Sequence, residues 1–189
     1  MNVYDFDKTI YKGDSTLDFY FFCIRKQRKL LRYVPKQCRA FLQYKLDKIS
    51  KTDLKECFFS FLNSLESITD LLEAFWDKYE SSIALWYLGQ QKEDDVVISA
   101  SPVFLLKPIC DRIGIKTLIA SIVEPTTGKF VGLNCYGEEK LKRFRETFGN
   151  EAVDRIDHFY SDSRSDMPLA QKAKQSFLVK KGEIFQWDM

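Results

Sequence analysis

The chain has 189 residues, of which 45% are hydrophobic and 30% are charged. This composition is typical of a globular domain and excludes an intrinsically disordered chain, which would carry fewer apolar residues. The formal net charge is only +2, but the charge is unevenly distributed. Residues 25–51, the basic segment, contain ten Lys and Arg residues and a single acid, Asp47, so this part of the chain projects a positive field.

The five cysteines form no CxxC pair. This spacing predicts buried, reduced thiols in a reducing compartment, and it does not favour a disulfide framework or a metal knuckle. The first residues lack the basic and apolar regions of a signal peptide, and no apolar run approaches the roughly 18 residues that cross a bilayer. We therefore expect a cytoplasmic protein.

The chain opens with a predicted short strand at residues 2–5, and residues 14–89 then carry only helical periodicity. Ser15 and Asp18 resemble a capping box at the start of the first helix, and Pro35 is expected to end or kink that helix. Four apolar stripes indicate four helices. The first two stripes consist of Leu17, Tyr20, Phe21 and Ile24, and of Cys38, Phe41, Leu42, Leu46 and Ile49. The last two consist of Leu54, Cys57, Phe58, Phe61, Leu62 and Leu65, and of Leu71, Leu72, Phe75, Trp76 and Tyr79.

From residue 95 onward, short apolar strands alternate with helices. Strands are predicted at 96–98, 118–123, 156–160 and 176–179, with a last short strand after residue 182, and helices at 103–113, 138–148 and from Pro168. Such alternation indicates an α/β fold with a mainly parallel sheet that is covered on both faces.

Acids and hydroxyls follow three of these strands. The residues are Asp5 and Asp7, then Ser99 and Ser101, then Asp162 and Asp166. Because ligands of such folds bind at the carboxyl ends of the strands, these side chains are expected to share one edge of the sheet. Four carboxylates there need a counter-charge, and Mg²⁺ with its oxygen ligands is the simplest choice. The only histidine is His158, which argues against zinc, and no P-loop motif is present.

This arrangement predicts phosphoryl transfer through a carboxylate. Asp5 can attack phosphorus to form an aspartyl-phosphate, and Asp7 can protonate the leaving oxygen and then activate water. Ser99 can donate a hydrogen bond to a phosphoryl oxygen. Lys140, near the start of its helix, can neutralise charge on Asp5 and on the phosphoryl group.

These residues resemble the motifs of the haloacid dehalogenase superfamily. Asp5-Phe6-Asp7-Lys8-Thr9 resembles the first motif, DxDxT, and Val97-Ile98-Ser99 resembles the second. Lys140 fits the third motif, and Asp162 with Asp166 fits the acidic fourth. The four motifs occur in the family's order and span nearly the whole chain, which makes the resemblance specific.

The resemblance implies a Rossmann-like three-layer core, residues 1–13 and 90–189, with an all-helical cap inserted at residues 14–89. It also implies a bound Mg²⁺. The implied metal site consists of the Asp5 side chain, the Asp7 main-chain carbonyl and the Asp162 side chain, with Asp166 holding the metal's water shell or orienting Lys140.

Within the superfamily, the chain looks most similar to the phosphoserine phosphatase-like branch. Ser99-Ala100-Ser101 stands where that branch typically has Ser-Gly-Gly, and Asp14 stands where it places a Glu that meets the substrate amine. These departures leave the phosphatase chemistry intact but do not support phosphoserine as the substrate. Asp14, Ser101 and Arg164 are candidate substrate-binding residues.

The predicted function is a Mg²⁺-dependent phosphomonoester hydrolase with a small phosphorylated substrate. Three alternatives stay open: a phosphotransferase that uses the same intermediate, a lipid-headgroup phosphatase, and a non-catalytic module that binds membranes or anions. The basic segment can be a solvated helical face, a funnel for anionic substrates, or a contact with anionic lipid. No nucleic-acid motif is present, so no nucleic-acid partner is expected, and the sequence gives no oligomeric state.

Overall fold

In the computed structural model, which describes residues 1–188, one sheet is covered by helices on both faces. The strands are β1 (Asn2–Tyr4), β2 (Val96–Pro102), β3 (Thr117–Ser121), β4 (His158–Ser161), β5 (Gln175–Lys180) and β6 (Glu183–Gln186). The helices are α1 (Ser15–Lys26), α2 (Val34–Lys45), α3 (Lys51–Phe59), α4 (Ile68–Tyr79), α5 (Leu85–Leu88), α6 (Val103–Arg112), α7 (Glu138–Phe148) and α8 (Met167–Ala170). No helix among these residues is both long and apolar enough to cross a bilayer.

The sheet has the strand order β3-β2-β1-β4-β5-β6. Strands β1 to β5 are parallel, and β6 adds an antiparallel edge. The α/β fold with a mainly parallel sheet is therefore confirmed. The amino-terminal strand β1 lies in the middle, between β2 and β4, so the loop that follows β1 emerges at the centre of the sheet's carboxyl edge.

Two hydrophobic clusters cover the two faces of the sheet. One contains Val3 and Phe159 of the strands together with Phe144 of α7. The other is larger and joins sheet residues to Phe19 of α1 and Trp76 of α4. The indole of Trp76 donates a 2.7 Å hydrogen bond to the carbonyl of Leu105 in α6, so the helical region after β1 packs firmly on the α/β layer. The division into a core and a cap at residues 14–89 stays a prediction.

The first helix begins as predicted, but the predicted capping box is wrong. The N-cap is Asp14, whose side chain accepts a hydrogen bond from the main-chain nitrogen of Leu17. The helix buries Phe19, Phe22 and Cys23, whereas Leu17 and Phe21 of the predicted stripe are exposed. Tyr20 of the stripe is buried and Ile24 packs against the core, so periodicity located the helix and only part of its buried face.

The second helix has an outward face that is unusually apolar. Pro35 lies in its first turn, which fits the break predicted there. Only Ala40 is fully buried in α2, while Phe41 and Leu42 are 51% and 62% exposed. Cys38 is also exposed, which corrects the expectation of buried thiols for this residue; Cys23, Cys110 and Cys135 are buried.

Candidate active site

The loop after β1 carries the first two predicted acids. The main-chain nitrogen of Asp5 donates a 2.8 Å hydrogen bond to the carbonyl of Tyr160 in β4, which fixes Asp5 at the end of the sheet. Lys8 follows with a φ of 56°, a left-handed conformation that an L-residue adopts at a cost of about 1 kcal/mol. This sharp turn directs the chain into α1.

Asp5 is nearly buried, with its carboxylate facing a lysine. Its Oδ1 lies 2.9 Å from the Lys140 Nζ and accepts a 2.8 Å hydrogen bond from the main-chain nitrogen of Phe6. Burial raises the pKa of Asp5 to about 7, because desolvation of the carboxylate outweighs the attraction of Lys140. A further positive charge beside this carboxylate would therefore favour its ionised, nucleophilic form.

Lys140 bridges two carboxylates inside the protein. Its side chain is 2% exposed, and its Nζ lies 2.7 Å from Oδ2 of Asp166 as well as close to Asp5. The hydroxyl of Ser161 donates to the same Asp166 oxygen at 2.7 Å. Burial lowers the pKa of Lys140, but the charges of Asp5 and Asp166 outweigh burial and raise it overall. Lys140 is thus a permanently charged group at the site.

The position of Lys140 depends on the start of α7. Gly137, the residue before the helix, has φ 60° and ψ −126°, a conformation that favours glycine. A Cβ on Gly137 would lie 3.6 Å from the carbonyl oxygen of Ser165, so the helix start packs closely against the loop after β4. This packing brings Lys140 next to Asp166.

Asp7 is held by two hydrogen bonds. Its Oδ1 accepts from the main-chain nitrogen of Ser15 at 2.7 Å, and its Oδ2 accepts from the hydroxyl of Ser101. Burial and then the neighbouring Asp14 raise the pKa of Asp7, while the hydrogen bonds from Ser101 and Ser15 lower it, and the net shift is upward. A carboxyl group with a raised pKa is suited to donate a proton near neutral pH.

Ser99 is a buried hydroxyl with its proton available. The Ser99 Oγ accepts a 3.1 Å hydrogen bond from the main-chain nitrogen of Ser101. Because the oxygen serves as acceptor in that bond, the hydroxyl hydrogen can be donated into the pocket. Ser99 is therefore a suitable donor to an anionic ligand.

One pocket of about 480 Å³ collects these side chains. The sequence-predicted residues that line it are Asp5, Asp7, Asp14, Ser99, Ser101, Lys140, Asp162 and Asp166. Arg164 does not line this pocket, and its side chain is exposed. Asp162 is half-buried, and burial raises its pKa while Lys8 opposes that shift. The pocket thus has a strongly acidic floor around one buried lysine.

The helical region supplies pocket residues that sequence reasoning missed. Lys55 of α3 donates to the carbonyl of Ala100 at 3.0 Å and to Oδ1 of Asn134 at 2.8 Å. Leu54 and Phe58, which flank Lys55 in α3, line the same pocket. Their apolar stripe was visible in the sequence, but a lysine beside such a stripe does not by itself indicate a pocket.

The oxygen donors of the site fit a hard divalent cation. Among residues 1–188, no three acidic, histidine or cysteine side chains form a ready-made metal cage, so main-chain oxygen would have to complete the ligand set. Asp5 and Asp162 offer carboxylate oxygens at the pocket. In the described part of the chain, Oδ1 of Asp166 is buried without a hydrogen-bond donor, and a metal-bound water is a suitable partner for such an oxygen. The donor chemistry favours Mg²⁺.

A family model for haloacid dehalogenase-like hydrolases matches residues 3–171. The chain belongs to this family. The match covers the first strand, the helical region and all of the acidic strand ends, so the prediction of a haloacid dehalogenase-like hydrolase is confirmed.

Individual relatives of this haloacid dehalogenase-like hydrolase are distant. A histidinol-phosphatase from Neisseria meningitidis serogroup C (strain 8013) is 26% identical over 96 residues, which cover 46% of this chain and 43% of that protein. The match therefore spans less than half of the relative's length.

Solved structures agree in fold. A protein of unknown function from Bordetella pertussis Tohama I has a TM-score of 0.77 at 18% identity, covering 93% of this chain and 87% of that chain. A phosphoserine phosphohydrolase-like protein from Francisella tularensis subsp. tularensis SCHU S4 has a TM-score of 0.54 at 18% identity, covering 93% and 86%. A substrate-bound phosphoserine phosphatase has a TM-score of 0.58 at 11% identity, covering 92% and 82%.

Proposed function

We propose that this haloacid dehalogenase-like hydrolase is a Mg²⁺-dependent phosphomonoesterase that forms an aspartyl-phosphate on Asp5. The observation that carries the proposal is the carboxylate of Asp5 at the floor of a pocket, 2.9 Å from the ammonium of Lys140. A nucleophilic carboxylate next to a fixed cation is the arrangement that phosphoryl transfer requires.

In the first step, an oxygen of Asp5 attacks phosphorus, and the ester bond between phosphorus and the leaving oxygen breaks. Asp7 donates its proton to the leaving oxygen, so that the alcohol departs neutral. Lys140 and the hydroxyl of Ser99 stabilise negative charge on the phosphoryl oxygens.

In the second step, Asp7, now ionised, takes a proton from water while the water oxygen attacks phosphorus. The bond between phosphorus and Asp5 breaks, which releases inorganic phosphate and restores the carboxylate. Asp7 thus acts once as an acid and once as a base, and it ends each cycle protonated.

The Asp5 carboxylate, the Asp7 main-chain carbonyl and the Asp162 carboxylate would hold Mg²⁺, with Asp166 supporting the water shell and the position of Lys140. When bound, the ion offsets negative charge on the phosphoryl group and on the surrounding carboxylates.

The comparisons support a phosphatase. Proteins similar to this chain include a histidinol-phosphatase and phosphoserine phosphatases. We further propose that residues 14–89 act as a cap, because Leu54, Lys55 and Phe58 of this region form one wall of the pocket. A wall on a separate helical layer can exclude water from the intermediate.

The test of this function is phosphate release from a panel of phosphomonoesters, with Mg²⁺ and with a chelator. We expect release that falls at least about a hundredfold when the metal is removed and that recovers when Mg²⁺ is returned in excess. Release that is equal with and without chelator contradicts the metal assignment. No release from any ester by folded, Mg²⁺-supplied protein contradicts the hydrolase assignment.

We expect Lys55 to give substrate binding a pH dependence. Burial and then the neighbouring Lys51 lower the pKa of Lys55 to about 8, against the opposing charges of Asp7 and Asp14. A lysine is charged below its pKa, so its attraction for an anionic substrate is present below about pH 8 and is lost above it. The measurement is KM as a function of pH. We expect KM to rise about tenfold as the pH passes through 8, because one charged hydrogen bond to the substrate is lost.

The Lys55→Met variant tests whether Lys55 causes this rise of KM at alkaline pH. At pH 7 the KM of this variant should be about tenfold above that of the wild type, because the same charged hydrogen bond is lost. Its KM should no longer rise as the pH passes through 8. Lys180→Met, at an exposed position outside the pocket, should retain the wild-type profile. A Lys55→Met profile that keeps its alkaline rise would show that another group is responsible.

A further inference from the structure

The outward face of α2 is apolar where a surface helix is normally polar. Ala40 marks the buried side of the helix. Because a helix turns once in 3.6 residues, Cys38, Leu42 and Lys45 lie on the opposite side. We call Cys38, Arg39, Phe41, Leu42, Lys45 and Leu46 the α2 face. Three large apolar side chains of this face are more than half exposed, with Leu46 at 64%.

The α2 face lies within the basic segment. Nine of the ten basic side chains of residues 25–51 are exposed, and Lys51 is half-buried. Among residues 1–188, Lys29 is the only one of the ten within 4 Å of a carboxylate, that of Glu66. In the described part of the chain, the other nine cations have no acidic partner within 4 Å, and two of them, Arg39 and Lys45, belong to the α2 face itself, with Lys45 lying over the ring of Phe41. This pattern matches helices that lie in the surface of anionic membranes.

The α2 face is continuous with the mouth of the active-site pocket. Phe41 belongs to both, since it lines the pocket and is half exposed. Leu17 of α1, also exposed, lines the same pocket, and Leu54 and Phe58 continue the apolar lining. An apolar path therefore leads from the outer surface to the acidic floor, which suits a substrate with a hydrocarbon body.

We propose that the α2 face docks on an anionic lipid bilayer and that the pocket takes a phosphomonoester lipid from it. The choice of substrate rests on the function proposed above, whereas the docking does not. A second copy of this chain is a poor occupant of the face, because a symmetric contact would place the unpaired cations against one another. Nucleic acid would satisfy the cations but would leave Leu42 and Leu46 without an apolar partner.

Vesicle sedimentation tests the docking. We expect the wild type to sediment at low salt with vesicles of phosphatidylcholine and phosphatidylglycerol, and weakly with phosphatidylcholine alone. The double variant Leu42→Ser/Lys45→Glu should bind the anionic vesicles at least about tenfold more weakly. It removes apolar area that the bilayer would cover and reverses one charge that would face the anionic lipids. Absence of wild-type binding, or unchanged binding by this variant, overturns the docking proposal.

A matched variant controls for a general change in polarity and charge. Leu85 is 78% exposed and Lys172 is exposed, and both lie outside the α2 face. The double variant Leu85→Ser/Lys172→Glu should bind anionic vesicles like the wild type. Circular dichroism should give wild-type melting for both double variants. If the control variant binds anionic vesicles as weakly as Leu42→Ser/Lys45→Glu does, the α2 face is not the specific docking surface.

Phosphate release separates the substrate from the docking. We expect phosphatidate in phosphatidylglycerol-containing vesicles to be hydrolysed at least about tenfold faster than a short, water-soluble phosphomonoester at equal concentration, because the bilayer brings bound enzyme and substrate together. Vesicle binding with hydrolysis of only the short ester overturns the lipid substrate and leaves the docking. Vesicle binding with hydrolysis of neither ester means that the proposed hydrolase function itself has failed.

Discussion

Replacing Asp5 with Asn is expected to lower phosphate release by at least about a thousandfold, with the protein still folded. The amide oxygen of Asn is a poor nucleophile, and the variant also loses the negative charge that pairs with Lys140 at 2.9 Å. The effect should appear in kcat, because the covalent step is removed while the rest of the pocket still binds substrate. The measurement is steady-state phosphate release with Mg²⁺ in excess, together with acid trapping of the phosphoenzyme.

Two comparisons make the Asp5→Asn result specific. Asp154→Asn changes an exposed acid outside the pocket and should retain wild-type activity. Asp7→Asn removes the proposed acid but keeps the nucleophile, so with a substrate whose leaving group needs no proton it should still form the phosphoenzyme and lose it slowly. Wild-type activity of Asp5→Asn, or a phosphoenzyme trapped in that variant, would exclude Asp5 as the nucleophile.

Replacing Lys140 with Met is expected to destabilise the metal-free protein by about 3 to 5 kcal/mol, the cost of leaving buried carboxylates without their partner. The ammonium is 2% exposed and lies within 3 Å of both Asp5 and Asp166. Turnover should also be lost, because the phosphoryl group loses its fixed cation. Urea denaturation in the presence of chelator measures the stability change.

The pH dependence of Lys140→Met has a definite sign. The pKa of Asp5 is already raised to about 7 in the folded protein, above the value of about 4 of an unfolded chain, and loss of the lysine should raise it further. The folded state then binds more protons than the unfolded state, so the free energy of unfolding falls as pH rises from about 4 toward 7. This fall should be steeper in Lys140→Met than in the wild type.

Lys142 provides the matched position for this variant. It lies two residues along the same helix and is 62% exposed, and its ion pairs on that surface contribute little to stability. Lys142→Met should therefore denature within about 0.5 kcal/mol of the wild type. Equal stability of Lys140→Met and Lys142→Met would contradict the structural role of the Lys140 bridge.

Local signals in the sequence were sufficient for much of the fold. The strand that ends before Asp5 and the helix at Glu138–Phe148 were predicted with close boundaries. The alternation of short apolar runs with helices also leaves few possible topologies, so the mainly parallel sheet could be predicted. The order of acids after successive strands also predicted which side chains would share one pocket. The catalytic and metal-binding roles of these side chains stay predictions, because shared position in a pocket does not show which step of a reaction each one performs.

Other features depend on packing between distant segments, which the sequence does not display. Helical periodicity places Leu42 and Leu46 on one face of α2 but cannot tell a core face from a surface face. Lys55 reaches the site only because α3 lies over the end of β2, which contains Ala100. Arg164 follows β4 in sequence just as Asp162 does, yet it does not line the pocket and its side chain is exposed.

The central place of β1 has a consequence for biosynthesis. Its partners on either side, β2 and β4, pair with it at separations of 93 and 156 residues along the chain. During translation the first strand must therefore wait for both neighbours, and the loop bearing Asp5 cannot reach its final position before β4 has been made. Contacts of such long sequence separation slow folding, so β1 stays unpaired until the chain has been extended through β4, and chaperones can act on it during that period.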